Sequence, residues 1–232
     1  MRELPILFSA PMVRAILEGR KTVTRRAMKT QPELTDGFWR WHGAGWSEGV
    51  KSVPVVHGHS LSTGCPYGQV GDRLWVKEAW RAPASLDAFS GSDIAERCIA
   101  AGYRNPSAPI RFEADGALNS AKDWREFGST PREATAGRYR NARFMPRWAS
   151  RITLEVTAVR VERLQDVTEQ SAWDEGVQDF MGGPTPWKNV VAPVSVHGFA
   201  AVWESINGAG SWAANPWVWV VEFNRIEEAA KP

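Results

Sequence analysis

Cysteine is nearly absent: there are two, Cys65 and Cys98, in 232 residues. Two thiols so placed form neither a disulfide framework nor a four-ligand zinc pattern. That excludes the small stapled secreted classes and favours a reducing, cytoplasmic setting. Long apolar runs are missing too. The N-terminus has no stretch of signal-peptide character, and no segment approaches the length needed to cross a bilayer, so no membrane role is expected. A large excess of charge of one sign is also lacking. The 28 Lys and Arg against 26 Asp and Glu leave a formal net charge of +2, which by itself does not predict nucleic-acid binding. No internal repeat is present. His57, His59 and Cys65 match no common structural zinc spacing, and Gly182-Gly183 lacks the context of a phosphate loop, so neither metal nor cofactor is expected.

What remains is an ordinary globular composition, 43% apolar and 23% charged, long enough to bury a core unaided. The 13 tryptophans are the unusual feature. Trp offers a broad flat face and one N–H donor, which suits cores, interfaces and base stacking alike. Leu4 to Phe8 reads as a strand and Pro11 to Glu18 as a short helix stopped by Gly19. Lys21 to Arg26 reads as extended. Residues 29–70, rich in Gly, Ser, Pro and Trp, read as a long, partly ordered loop. A strand follows the Gly71-Asp72 turn, from Arg73 to Trp80. A second excursion, 81–145, holds an expected helix at Ser92–Ala101, a short strand at Ile110–Phe112 and a helical turn at Ala121–Phe127. Arg151 to Arg163 alternates strictly and reads as a long strand. A helix from Asp166 or Thr168 to Gly176 comes next, then a Pro/Gly loop from Gly182 to Pro193. A helix over Gly198–Ile206 and a closing strand over Trp217–Phe223 complete the order, with a frayed tail from Glu227. Few strands alternate with full-length helices. The pattern therefore predicts an α+β, mainly β fold: one domain, residues 1–232, built as a small barrel with flanking helices and two long insertions.

Four groups of residues carry candidate chemistry. A lysine at position 21, if held in an apolar pocket, has its pKa lowered and acts as a base on the Thr24 hydroxyl. Positions 21 and 24 share no strand face unless the strand twists or ends between them. The competing reading is a surface basic cluster at a helix C-terminus. Glu175 lies at the end of a predicted helix, where it serves as a proton shuttle or stands exposed in solvent. Glu78 has the parity of Val76 and Trp80, points inward, and needs a partner such as Arg26. Arg138, Arg140, Arg143, Arg147 and Arg151, interleaved with Tyr139, Phe144 and Trp148, have the composition of a single-strand stacking face. The dull alternative is a solvated loop. Trp217 and Trp219 share one strand face and read as core.

The stretch Ile16-Leu17-Glu18-Gly19-Arg20-Lys21-Thr22-Val23-Thr24-Arg25-Arg26 resembles the Gly-x-Lys-x-x-x-x-Arg signature of ASCH-domain proteins. It is most similar to that of the small bacterial N4-acetylcytidine amidohydrolases. Gly71-Asp72-Arg73-Leu74-Trp75-Val76, Leu154 to Ala158 with Thr168-Glu169, and Val220 to Phe223 resemble further family segments in the same order. Many ASCH relatives carry Glu where this chain has Thr24, which favours the amidohydrolase branch. Cys-Pro-Tyr-Gly before the Gly-Asp strand, and the run Pro146 to Arg151, resemble longer phage or prophage members.

The resemblance implies a PUA-like barrel and a catalytic set falling on Lys21, Thr24 and Glu175. The expected activity is metal-independent amide hydrolysis on an N4-acylated cytidine or related pyrimidine nucleoside or nucleotide. Arg26 is then expected at the oxyanion, Trp75 or Trp148 on the base, Arg147 on a phosphate, and Glu78 within the same binding set. The alternative is a single-stranded RNA- or DNA-binding protein or ribonuclease using the basic groove. A third reading is an accessory protein that docks through exposed tryptophans.

Overall fold

The computed structural model describes residues 1–106, 108–119, 136–180 and 193–226. The turn expected at Ala121–Phe127, the body of the Gly182–Pro193 loop and the tail from Glu227 lie outside them. The described chain is mixed α+β. It runs β1 (Glu3–Leu7), α1 (Ala10–Leu17), β2 (Val23–Ala27), β3 (Glu33–Thr35), β4 (Phe38–Trp41), β5 (Ala44–Ser47), β6 (Ser52–Pro54) and α2 (Ser60–Gly64). There follow β7 (Arg73–Lys77), β8 (Trp80–Arg81), α3 (Gly91–Ala100), β9 (Arg111–Phe112), β10 (Thr153–Arg163), α4 (Glu169–Asp174), α5 (Val194–Asn207) and β11 (Trp217–Ile226). The chain divides into two compact units. One comprises Met1–Arg2, Ala15–Arg73 and Glu155–Arg225; the other comprises Glu3–Arg14, Leu74–Leu154 and Ile226–Pro232.

The first unit is organised around β11. β2 pairs antiparallel with β11, with Arg26 opposite Trp219 and Thr24 opposite Val221. β10 is the other neighbour of β11, and β6 pairs antiparallel with β10. Among the described residues this ladder is an open path, not a closed ring. Trp217 to Val221 is buried without a break, because both faces of the strand are covered. On one face Val218 and Val220 join Val23, Ala172, Phe199, Ala200 and Trp203 in a core built by α4 and α5. On the other, Trp217 meets Trp39 and Trp46 with ring centroids 5.3 Å and 5.1 Å away, and Trp219 meets Trp41 at 5.4 Å. All three pairs are edge-to-face, the arrangement the ring quadrupole favours, each worth about 0.5–1.5 kcal/mol beyond area burial. The reading of Trp217 and Trp219 as core agrees with their position.

The tryptophans at 39, 41 and 46 belong to a three-stranded antiparallel sheet, β3-β4-β5. The expectation of a partly ordered loop over 29–70 is therefore corrected. Asp36 and Gly37 (φ 54° and 74°) join β3 to β4, and His42 and Gly43 (φ 40° and 86°) join β4 to β5. Two consecutive residues at positive φ form the tight turn whose twist matches paired strands. The sheet has one face on β11 and the other toward water, which is why its sequence shows no long apolar period.

The second unit has its own core of Trp80, Ile94, Cys98, Ile110, Phe112 and Met145. α3, expected at Ser92–Ala101, begins at Gly91 behind a reciprocal cap: the Ser90 hydroxyl accepts from Asp93 N–H, and the Asp93 carboxylate accepts from Ser90 N–H. β8 and β9 pair antiparallel, Trp80 opposite Phe112. Arg140 is buried, stacks over Trp80 at 5.0 Å and donates to the carbonyls of Phe89 and Leu86.

Candidate functional site

Two helix ends meet around Lys21. α1 stops at Gly19, which takes φ 74°, and the N–H groups of Arg20 and Lys21 both return to the Ala15 carbonyl. β2 does not begin until Val23, so Lys21 precedes the strand and is freed from its alternation. α4 starts behind Thr168, whose hydroxyl accepts from Ser171 N–H, and ends with Glu175 as its cap. Gly176 follows at φ 79°. A Cβ there would stand 2.8 Å from the Cβ of Ala15 and 3.1 Å from that of Lys21. Only glycine permits both that backbone and that approach. Thr22 N–H donates to the Asp174 carbonyl at 2.9 Å and completes the join.

The result is a buried ion pair. Lys21 Nζ donates to Glu175 Oε2 at 2.6 Å, to the Glu175 carbonyl at 3.0 Å and to the Val23 carbonyl at 2.7 Å. The two side chains are 0% and 4% exposed. Neither the surface cluster nor the solvent-facing glutamate weighed for these residues is what the chain builds. Burial lowers the Lys21 pKa from its ordinary value; Glu175 opposes that shift, and Arg26 and Arg25 add to it.

Thr24 is not among the three acceptors around Nζ. It is buried, 1% exposed, and by strand parity its side chain lies on the face of β2 opposite Arg25, together with Arg26. Burial lowers the Arg26 pKa, against the opposing influence of Tyr67 and Glu175.

Arg25 was missed from sequence. Its guanidinium approaches Glu175 Oε1 and Glu162 Oε2, each at 3.4 Å, and donates to Ser171 Oγ at 2.8 Å. It lies 5.7 Å from the centre of the Phe199 ring. Arg160 in turn pairs with Glu162 and Glu222. Lys21, Glu175, Arg25, Glu162, Arg160 and Glu222 thus form one alternating chain of charge. The available signal was parity: Arg25 sits two residues after Val23, on the face that packs against α4 and α5. An open groove of about 400 Å³ runs beside this chain, lined in part by Thr22, Thr157, Arg160, Ser171, Asp174 and Glu222.

The other expected binding residues belong to the second unit, and each is already engaged there. Glu78 is buried as expected, but its partner is Arg151, not Arg26: two bonds of 2.9 Å hold the carboxylate. Arg151 also binds Asp115 and lies over Phe112 at 4.0 Å. Burial raises the Glu78 pKa despite that guanidinium. Arg147 pairs with Glu3 at 3.0 Å. Trp148 donates its indole N–H to the Gly91 carbonyl and stands edge-on to Trp80. Lys77 covers the Trp75 ring at 5.5 Å. Of the five-arginine run, Arg140, Arg147 and Arg151 are thereby committed to the unit's own structure, while Arg138 and Arg143 are exposed. Among the described residues no tryptophan falls in the exposed class. Among the described residues no cluster of His, Cys, Asp and Glu able to hold a metal occurs, and no helix is long and apolar enough to cross a membrane.

No family model, no curated protein and no solved structure matches the chain. The resemblance to ASCH-domain amidohydrolases therefore rests on its motif residues alone.

Proposed function

We propose that the protein is a metal-independent amidohydrolase acting on N4-acylated cytidine or a closely related modified pyrimidine nucleoside, on a PUA-like variant of the sheet described above. One observation carries the reading. An amine and a carboxylate 154 positions apart in the chain are joined at 2.6 Å, shielded from water. A buried pair costs several kcal/mol per ion in desolvation, so it is weak evidence of stability. Buried ionisable residues pushed off their ordinary pKa, as Lys21 is by burial, cluster instead at functional sites.

In the proposed reaction the Lys21 ammonium first passes a proton to the Glu175 carboxylate; the neutral amine then takes the proton of the Thr24 hydroxyl, and the alkoxide oxygen attacks the acyl carbon. That step needs Lys21 to turn from Glu175 toward the other face of β2. The C–N4 bond then breaks, and N4 leaves with a proton delivered by Glu175. Water hydrolyses the Thr24 ester, releasing the carboxylic acid and restoring the hydroxyl. Arg26, on the Thr24 face, stabilises the oxyanion.

The test is acetate release from N4-acetylcytidine by the wild type, Lys21→Met and Glu175→Gln, with folding checked by circular dichroism. Both folded variants are expected to lose at least about a hundredfold in kcat, the usual size of a general acid–base contribution. Unchanged turnover in either one rejects the proposal.

A further inference from the structure

Arg25 touches the buried pair yet has no step in the reaction above. It holds its carboxylates differently from Arg151. Arg151 grips Glu78 with Nε and Nη2, two bonds of 2.9 Å, the fork that suits a carboxylate best. Arg25 makes no fork. Nη1 reaches Glu175 Oε1 at 3.4 Å, and Nη2 reaches Glu162 Oε2 at 3.4 Å and donates to Ser171 Oγ at 2.8 Å. Its buried Nε has no acceptor among the described residues. A guanidinium able to close on one carboxylate would not leave a buried N–H unpaired, because that group has lost its water for nothing.

Three other elements restrain it. Glu162 on β10 draws it one way and is itself fixed by Arg160 and by the Ser52 hydroxyl. Ser171 on α4 supplies the short bond, and the Phe199 ring on α5 lies beside the guanidinium. The consequence falls on Glu175, whose two oxygens become unequal. Oε1 faces Arg25, and Oε2 faces Lys21 at 2.6 Å. A proton leaving Lys21 Nζ therefore arrives on Oε2, while Oε1 remains an acceptor for Arg25. A tight fork from Arg25 would occupy both oxygens and stabilise the anion against taking that proton. With no guanidinium there, nothing would hold Oε1 and the carboxyl would be free to turn.

We propose that Arg25 is a positioning residue: restrained by Glu162 and Ser171, it fixes Glu175 Oε1 and leaves Oε2 to exchange a proton with Lys21. That exchange belongs to the buried pair by itself; its use in turnover rests on the amidohydrolase reading. The charges acting on Lys21 are Glu175, Arg26 and Arg25, and Glu162 acts through Arg25.

The titration midpoint of Lys21 Nζ, followed in the full chain by NMR of isotope-labelled lysine and assigned by its loss in Lys21→Met, reads the pair without turnover. Arg25→Met removes a cation and is expected to raise the midpoint by about one pH unit or more. Glu162→Gln lets Arg25 close on Glu175 and is expected to lower it. Ser171→Ala keeps every buried charge, loosens the same restraint and is also expected to lower it. Arg25→Lys retains the cation but has no second arm to span both carboxylates. Its kcat for acetate release from N4-acetylcytidine is expected to fall about tenfold or more, with KM unchanged. Midpoints that move the same way, or not at all, in folded Arg25→Met and Glu162→Gln overturn the role; should either variant fail to fold, an unmoved midpoint in Ser171→Ala does the same. Acetate release at full kcat in Arg25→Lys rejects the positioning role and leaves hydrolysis standing. Opposed midpoint shifts in a protein that releases no acetate uphold Arg25 and reject hydrolysis.

Discussion

Asp72 collects four hydrogen bonds, three from the backbone and guanidinium of Arg2 and one from Gln69 N–H. Burial alone would raise its pKa, but these bonds outweigh it and hold the carboxyl below the ordinary value. A carboxylate depressed in the folded state contributes stability above its unfolded pKa and loses it as pH falls through the folded one. Wild-type stability is therefore expected to fall with acidification below about pH 4, and Asp72→Asn to lose that part of the slope, as read by urea unfolding at stepped pH. The Gly-Asp motif is in this light a device for tying the N-terminus to the turn before β7. At the residue scale, Lys21 and Glu175 were legible because a motif pointed at both. Arg25 was not, because an arginine in a basic run looks solvated until the strand's parity is known. The partners of the expected binding residues were hidden for a related reason. Composition says that Trp148 can stack and Arg147 can bind an anion, but not that Gly91 and Glu3 have already taken them.

The hairpins of β3-β4-β5 depend on Asp36-Gly37 and His42-Gly43. A Cβ at either glycine meets nothing within 4 Å, so substitution strains the backbone alone. Gly37→Val and Gly43→Val are each expected to cost about 1–2 kcal/mol in denaturant unfolding, and to change the near-ultraviolet circular dichroism of the Trp39, Trp41 and Trp46 cluster. An unaltered midpoint would mean that the turns tolerate another geometry. This sheet was hidden in the sequence by its own brevity. Strands of three or four residues show no measurable period, yet two x-Gly pairs six positions apart, with aromatics between them, were a readable hairpin signal. β10, α4 and β11 were legible within a few residues, since alternation, a Thr cap and a Gly stop survive in any context. α5 begins four residues earlier than expected, because its first turn carries no polar cap to announce it.

At the scale of the whole molecule, three of the five arginines between Arg138 and Arg151 are spent on internal partners. With Arg140, Arg147 and Arg151 committed, single-stranded oligonucleotide binding is expected to be weak. With Arg138 and Arg143 left from the run, its salt dependence should correspond to about two phosphate contacts, a slope near −1.4 in log K against log salt. A slope several times steeper would restore the basic-face alternative. The chain of charge from Lys21 onward has a different consequence. Lys21, Arg25, Glu162 and Glu175 are all buried, two of each sign. Taking one member out of such a set costs about 3–5 kcal/mol, because a charge is stranded in a low dielectric. Lys21→Met with Glu175→Gln is thus expected to be less destabilising than the sum of the two single changes, by about 0.5–3 kcal/mol in a double-mutant cycle. Mutational drift at these four positions is locked into couples: a lineage that gives up one buried cation must surrender an anion with it, or keep both.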